Sequence, residues 1–224
     1  ASWWPCADAA WERLRAPPAA KVEREDLSDE AVAALWLLLE LRAPSAAFAE
    51  SFAALPREVE TILQWSDAEL QELEGSCFHQ VATGLREETA LEWELLSGDP
   101  GWSTALAELE CSEERFGWAK ATVMSRQVEL ECPGHLPEGA KVVIPGFDML
   151  NHDPAGQPNC EFAVEGPPDG GAPQVVVRCA RDVAEGEELR ISYGPLPNAS
   201  LLIFHGFAAE GNPFDCVELV LTFA

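Results

Sequence analysis

Two rhythms divide the chain. From residue 27 to about 125, apolar positions recur at helical spacing; beyond Cys132 they come in short β-rich runs separated by Gly and Pro. Ser28 can cap a helix whose residues 31–41 are apolar nearly all round, the pattern of a buried helix. Pro44 stops it, and 45–55 reads as a second helix ended by Pro56. Ser66-Asp-Ala-Glu69, preceded by Trp65, is a capping box opening a short helix through Leu73. Residues 80–96 and 113–126 complete the set, the latter with Phe116, Ala119 and Val123 in one stripe. These stripes read as core packing and carry no cofactor role.

The strand-like runs are 141–145, 159–164, 174–178, 188–193 and 216–223. The Gly- and Pro-rich stretch 166–173 between two of them is a surface loop by composition, and Ala184-Glu-Gly-Glu187 is a tight turn bending at Gly186. One helix interrupts the strands, with Asn198 as N-cap, residues 199–204 as its body and Gly206 just past its end. The first 26 residues, with Pro17, Pro18 and the polar segment 21–26, read as a polar lead-in. The expected organisation is therefore a lead-in over 1–26, a helical part over 27–131 and a β-rich part over 132–224, an α+β fold.

Composition narrows the function classes. With 224 residues, 47% of them hydrophobic, the chain can bury a core, and no apolar run reaches the ~20 residues that a membrane-spanning helix needs. It carries 39 acidic residues against 14 basic ones, a net charge of −25. Such a surface repels phosphate backbones, so nucleic acid is excluded as a partner, and it steers basic protein segments inward. By default the acidity serves solubility. Seven cysteines lack any C-x-x-C spacing, which predicts free thiols, an intracellular reducing compartment and no metal site. The first residues carry no secretory signal, and a start on Ala rather than Met fits a processed or incomplete product.

Three places could carry chemistry. Phe147-Asp-Met-Leu-Asn-His152 follows a β run and offers amide and imidazole hydrogen bonds, although Asn151-His-Asp-Pro154 also has good turn chemistry. Tyr193, in Ile191-Ser-Tyr-Gly194, is the sole tyrosine and can present its hydroxyl in a pocket while its ring packs. Arg126 closes a helix ahead of a polar loop, where an arginine more often caps or pairs with a carboxylate than binds a ligand.

Taken in order, Asp148-Met-Leu-Asn-His152, the turn around Gly186, Ile191-Ser-Tyr-Gly194 and Asn198-Ala-Ser-Leu-Leu-Ile-Phe-His-Gly-Phe207 resemble the C-terminal part of SET-domain protein methyltransferases. The likeness is to the branch containing the Rubisco large-subunit lysine methyltransferase and the actin-histidine methyltransferase. Segments 55–65 and 116–126 are similar to that branch's long helical insert, so the resemblance covers roughly 27–222. It implies a SET-type fold of short twisted β-sheets with a helical insert, in which a knot-like crossing brings the Asn-His and Tyr segments together. It implies S-adenosylmethionine as cofactor, held by Asn151 and His152, with Arg126 and Asp148 nearby and Phe207 packed on the adenine. Tyr193 takes the place of the catalytic tyrosine at the methyl-transfer channel, and Val128, Phe147 and Ile191 shape the acceptor pocket. Phe147 is bulky, as in the histidine enzyme, but Val128 lacks an amide to bond an imidazole, which points toward lysine.

The family's N-terminal strand pair around Gly-x-Gly is not present, and neither is this branch's C-terminal substrate-binding domain. An incomplete SET domain with weak or no methyltransferase activity on its own is the expectation. The alternative is an inactive SET-like fragment serving as an acidic protein-interaction module.

Overall fold

The run that is apolar on every side folds as the central helix of the molecule. The computed structural model describes residues 4–42, 44–166 and 173–217. In chain order the helices are α1 (Ala7–Leu14), α2 (Asp29–Arg42), α3 (Ala49–Ala53), α4 (Asp67–Gln71), α5 (Cys77–Gly98), α6 (Pro100–Glu108) and α7 (Glu113–Arg126), with α8 (Asn198–Ser200) after the last strand. Helix α2 packs between α1 and α7, and seven of its residues, from Ala31 to Leu38, are buried. Ser28 Oγ accepts the Ala31 amide at 3.2 Å, as its capping chemistry requires. The capping box at α4 also forms: Ser66 Oγ accepts the Glu69 amide and Glu69 returns the bond to the Ser66 amide at 2.7 Å.

Residues 4–26 differ from the expected polar lead-in. Trp4 is buried in the main core, 5.6 Å from the Trp36 ring and 5.4 Å from Phe52, and its amide donates to Val143 O. The buried Asp99 pins this segment. One carboxylate oxygen caps α6 through the Gly101 and Trp102 amides; the other accepts the amides of Lys21 and Val22. The approach is so close that a Cβ on Gly101 would lie 2.5 Å from the Ala20 nitrogen. Helix α6 is not marked by periodicity; its signal was Asp99 followed by Pro100, an N-cap with proline at the first helical position.

A buried cation joins the helices. Lys120 on α7 donates to Glu92 at 2.6 Å and Glu88 at 3.1 Å on α5, and Glu92 accepts the Ser28 amide with its second oxygen. Lys120 is 1% exposed and Glu92 5%.

The runs 159–164 and 174–178 form strands of about the expected length, whereas 141–145 and 188–193 each keep only a two-residue strand. Among the described residues the strands form three two-stranded sheets: β1 (Val128–Glu129) antiparallel to β2 (Lys141–Val142), β3 (Asn151–His152) parallel to β6 (Arg190–Ile191), and β4 (Cys160–Glu165) antiparallel to β5 (Gln174–Cys179). Of the run 216–223, Cys216 and Val217 lie in no strand, and the rest falls outside the described residues, as does most of the expected loop 166–173. Asn198 is not an N-cap; Pro197 holds that position. The Asn198 side chain instead closes the following loop, bonding Ala209 through both N–H and C=O and Asp215 through its amide. After α8 the chain widens into a π turn, Leu201–His205, ended by Gly206 at φ 81°. No helix of the described residues is long and apolar enough to cross a membrane.

Candidate active site

The parallel pair β3–β6 builds the site, because its register sets Asn151 opposite Arg190 and His152 opposite Ile191 across nearly forty residues of chain. A further bond from the Asp153 amide to Ile191 O extends the ladder. Just beyond it, the Tyr193 amide donates to His152 Nδ1 at 3.1 Å and the Tyr193 hydroxyl to Leu150 O at 2.9 Å. An imidazole whose Nδ1 accepts must carry its proton on Nε2 if neutral, so the backbone selects the tautomer.

Asn159, which sequence reasoning left inside a strand run, holds this ladder from below. It is buried, accepts the Arg190 amide at 2.8 Å, and donates to Glu188 O and to the Glu187 carboxylate. Arg181, the Ala184 amide and Asn159 together hold the Glu187 carboxyl down to about 2.

These segments close around a cavity of about 480 Å³ between the end of α7, the 3₁₀ turn Phe147–Met149 and the segment after β6 that carries Tyr193. Arg126, Val128, Phe147, Asp148, Ile191 and Tyr193 all line it. Arg126 Nη1 donates to Asp148 Oδ2 at 3.0 Å and reaches the Asp148 carbonyl at 3.3 Å. The other Asp148 oxygen accepts the Gly146 amide, and Arg126 Nε is buried without a partner among the described residues. Phe147 meets Phe162 edge to face at 4.8 Å, giving the pocket an apolar wall.

The remaining candidates do not line the cavity. His152 and Phe207 pack behind Tyr193, with ring centroids 5.3 and 6.4 Å from it and 6.1 Å from each other. Asn151 is exposed and donates to Glu188 at 2.6 Å. His205, which the sequence marks only as the residue before the helix-ending Gly206, also lines the cavity; its ring lies 4.8 Å from Tyr193. A larger open groove of about 880 Å³ between α4, α5 and α7 contains none of these residues.

Burial sets the charge state of Tyr193 and of the two imidazoles packed against it. It raises the Tyr193 phenol, against the nearby Arg126 cation, and so keeps the hydroxyl protonated. Burial lowers His152, with Asp153 opposing, and lowers His205, with the Ser125 carbonyl opposing and His152 adding to the effect. Both rings are neutral at pH 7. A histidine depressed in the folded state leaves the unfolded chain binding more protons at low pH. Stability should therefore be complete above the ordinary value of 6.5 and fall as pH drops through it toward the folded values. Urea midpoints at pH 8, 6.5 and 5 check this, and the decline should be shallower in His205→Phe. Among the described residues no cluster of His, Cys, Asp and Glu could hold a metal ion.

Comparison with known proteins bears on this arrangement. Curated relatives include the actin-histidine N-methyltransferases of Danio rerio (28% identical over 195 residues, 84% of this chain and 31% of that protein) and Homo sapiens (26%, with the same coverage). The chain thus spans about a third of the length of these relatives. Among solved structures, the SET domain of LSMT bound to lysine and AdoHcy superposes with a TM-score of 0.66 at 22% identity, covering 93% of this chain and 45% of that one. Rubisco LSMT bound to AdoMet gives 0.65 at the same identity and coverage. At that identity the likeness speaks for the fold: helices on small sheets, as the residue pattern and the resemblance together led us to expect. The family model described as SET domain matches residues 20–194, well over half of the sequence. By that match and that shared architecture, the chain belongs to the SET-domain family.

Proposed function

We propose that this chain is the methyl-transfer unit of a protein N-methyltransferase that uses S-adenosylmethionine and acts on a lysine side chain. The observation that carries the reading is the β3–β6 register, which sets the sole tyrosine against a buried neutral imidazole at the wall of a cavity also lined by Arg126 and Asp148. The relatives named as methyltransferases, and the neighbours bound to AdoMet, AdoHcy and lysine, support the reaction class.

The residues present fit such a cofactor. Arg126 Nε is a buried donor without a partner among the described residues, the His152, Tyr193, His205 and Phe207 rings offer faces for a purine, and the neutral phenol and imidazoles do not repel a cation. Arg126, Asp148, Asn151, His152 and Phe207 would hold it. When bound, it supplies a methyl group on a sulfonium. The chain's own part is alignment, which in a fixed geometry lowers barriers by ~7–11 kcal/mol. Tyr193 directs its proton to Leu150 O, leaving its oxygen lone pairs free to orient an amine. Val128, Phe147 and Ile191 keep the acceptor pocket poor in water, and desolvation favours the neutral amine needed for attack.

Lysine is favoured over histidine because Val128 has no polar group for an imidazole. The net charge of −25 suits a basic protein segment as partner, and the cysteines suit a reducing intracellular compartment.

Calorimetric melting with S-adenosylhomocysteine tests the cofactor. Binding raises stability by ~2.7 kcal/mol at a hundred times Kd, so millimolar ligand should lift the midpoint by several degrees. Asn151→Ala, at an exposed position, should fold yet lose the shift. No shift in the wild type at millimolar ligand would leave the acidic interaction module as the better description.

A further inference from the structure

His205 ends the π turn and projects into the cavity beside Tyr193. Its Nδ1 lies 3.2 Å from Ser125 O. A carbonyl only accepts, so Nδ1 carries the hydrogen and Nε2 is left with a lone pair. Among the described residues Nε2 has no hydrogen-bond partner, yet it is not among the polar atoms enclosed by protein. The ring lines the cavity, and Nε2 is its accessible nitrogen.

The surrounding groups leave this lone pair available. Arg126 and Asp148 are paired with each other, Tyr193 directs its hydroxyl to Leu150 O, and His152 uses Nδ1 on the Tyr193 amide. The apolar wall of Val128, Phe147, Phe162 and Ile191 offers nothing polar; Ser125, Gln127 and Ser192 are engaged with Thr122 O, Glu30 and the Gly194 amide, and Glu129 sits at the exposed rim. A nitrogen nucleophile entering this space therefore finds His205 Nε2 as a side-chain acceptor of fixed direction.

We infer that His205 is a specificity-determining residue of the acceptor pocket: its Nε2 accepts an N–H of the incoming alkyl amine and so turns the amine's lone pair toward the transferable methyl. The inference rests on the methyltransferase reading above and deepens it. It makes the pocket selective for an alkyl nitrogen that carries hydrogen. No proton changes owner in this step; the imidazole stays neutral and the bond is a positioning one.

The test is an NMR titration of the whole chain, at pH 8, with n-butylamine as a lysine side-chain probe and n-butyltrimethylammonium as a cation of the same chain length without N–H. Butylamine should shift the His205 Nε2 resonance progressively to saturation while Nδ1 stays protonated. The trimethylammonium probe should leave Nε2 in place and bind at least tenfold more weakly. His205→Phe should weaken butylamine by about tenfold, matching ~1.4 kcal/mol, and His205→Gln, whose amide oxygen can accept, should bind within threefold of wild type. An Nε2 resonance indifferent to butylamine, equal effects of the two probes, or undiminished binding in His205→Phe would each overturn the inference. The S-adenosylhomocysteine melting shift is read separately. Its absence overturns the methyltransferase reading, whereas the behaviour of the ring nitrogen decides the role of His205.

Discussion

Replacing Lys120 with methionine should destabilise the fold by ~3–5 kcal/mol, the cost of leaving a buried carboxylate without its cation. Methionine matches the aliphatic stem, so packing on α7 is largely kept and the loss is electrostatic. Glu92, 5% exposed, would face only the Ser28 amide, and Glu88 would turn to solvent. Because Ser28 opens α2, the strain reaches the central helix directly. Urea denaturation should show the midpoint falling with an unchanged m-value. Adding Glu92→Gln should restore part of the loss, since the amide oxygen still accepts from Ser28 and no orphan charge remains. Lys120 does not line the cavity, so the S-adenosylhomocysteine melting shift should persist in the variant.

Arg126→Met should act on both stability and binding. The Asp148 side chain is 2% exposed and would keep only the Gly146 amide, which again puts the cost at ~3 kcal/mol or more. Here the orphan carboxylate sits in the 3₁₀ turn that carries Phe147 and leads to Leu150, the acceptor of the Tyr193 hydroxyl. Loosening that turn moves two walls of the cavity at once, and the unpartnered Nε donor is lost with the side chain. The melting shift with S-adenosylhomocysteine should disappear. Arg126→Lys should give an intermediate result, because an ammonium cannot reach the carboxylate, the carbonyl and the cavity together. Loss of stability with full retention of the ligand shift would show that Arg126 only braces the turn.

These two cations also show what local pattern could reveal. Arg126 at the end of a clear helix, and the short polar motif holding Asp148, stood out because polar residues interrupt apolar rhythm there. Lys120 did not, since one basic residue on a helix ordinarily faces water and its burial depends on acids from α5. The central helix and the α4 capping box were legible for the same reason: their signals lie within a few residues of each other. Helix α6 was hidden because α5 runs into it with a single capping residue between them. The first segment read as polar because Pro17, Pro18 and the charged run 21–26 outweighed Trp4, Ala7 and Ala10, and the partners that order it, Trp36 for Trp4 and Asp99 for the Lys21 and Val22 amides, lie far along the chain. Strands of two residues carry almost no alternation to detect, so β3 left no mark, whereas β6 lies within the longer β-rich run 188–193. Asn151 and His152 stood out as a pair, yet only the three-dimensional register separates an exposed amide from a buried ring. Asn159 and His205 had no local mark, as each acts through backbone groups about thirty and eighty positions away.

Gly206 joins the two parts of the molecule at a point with no slack. Its left-handed φ already favours glycine, and a Cβ there would lie 1.9 Å from the Glu60 carbonyl oxygen, which precedes the buried Thr61 and Ile62. The strip bearing His205 and Phe207 is therefore welded to the helical half. Were the polypeptide divided in the 130s and its pieces mixed, re-seating this weld would be the step that decides whether a working pocket is rebuilt.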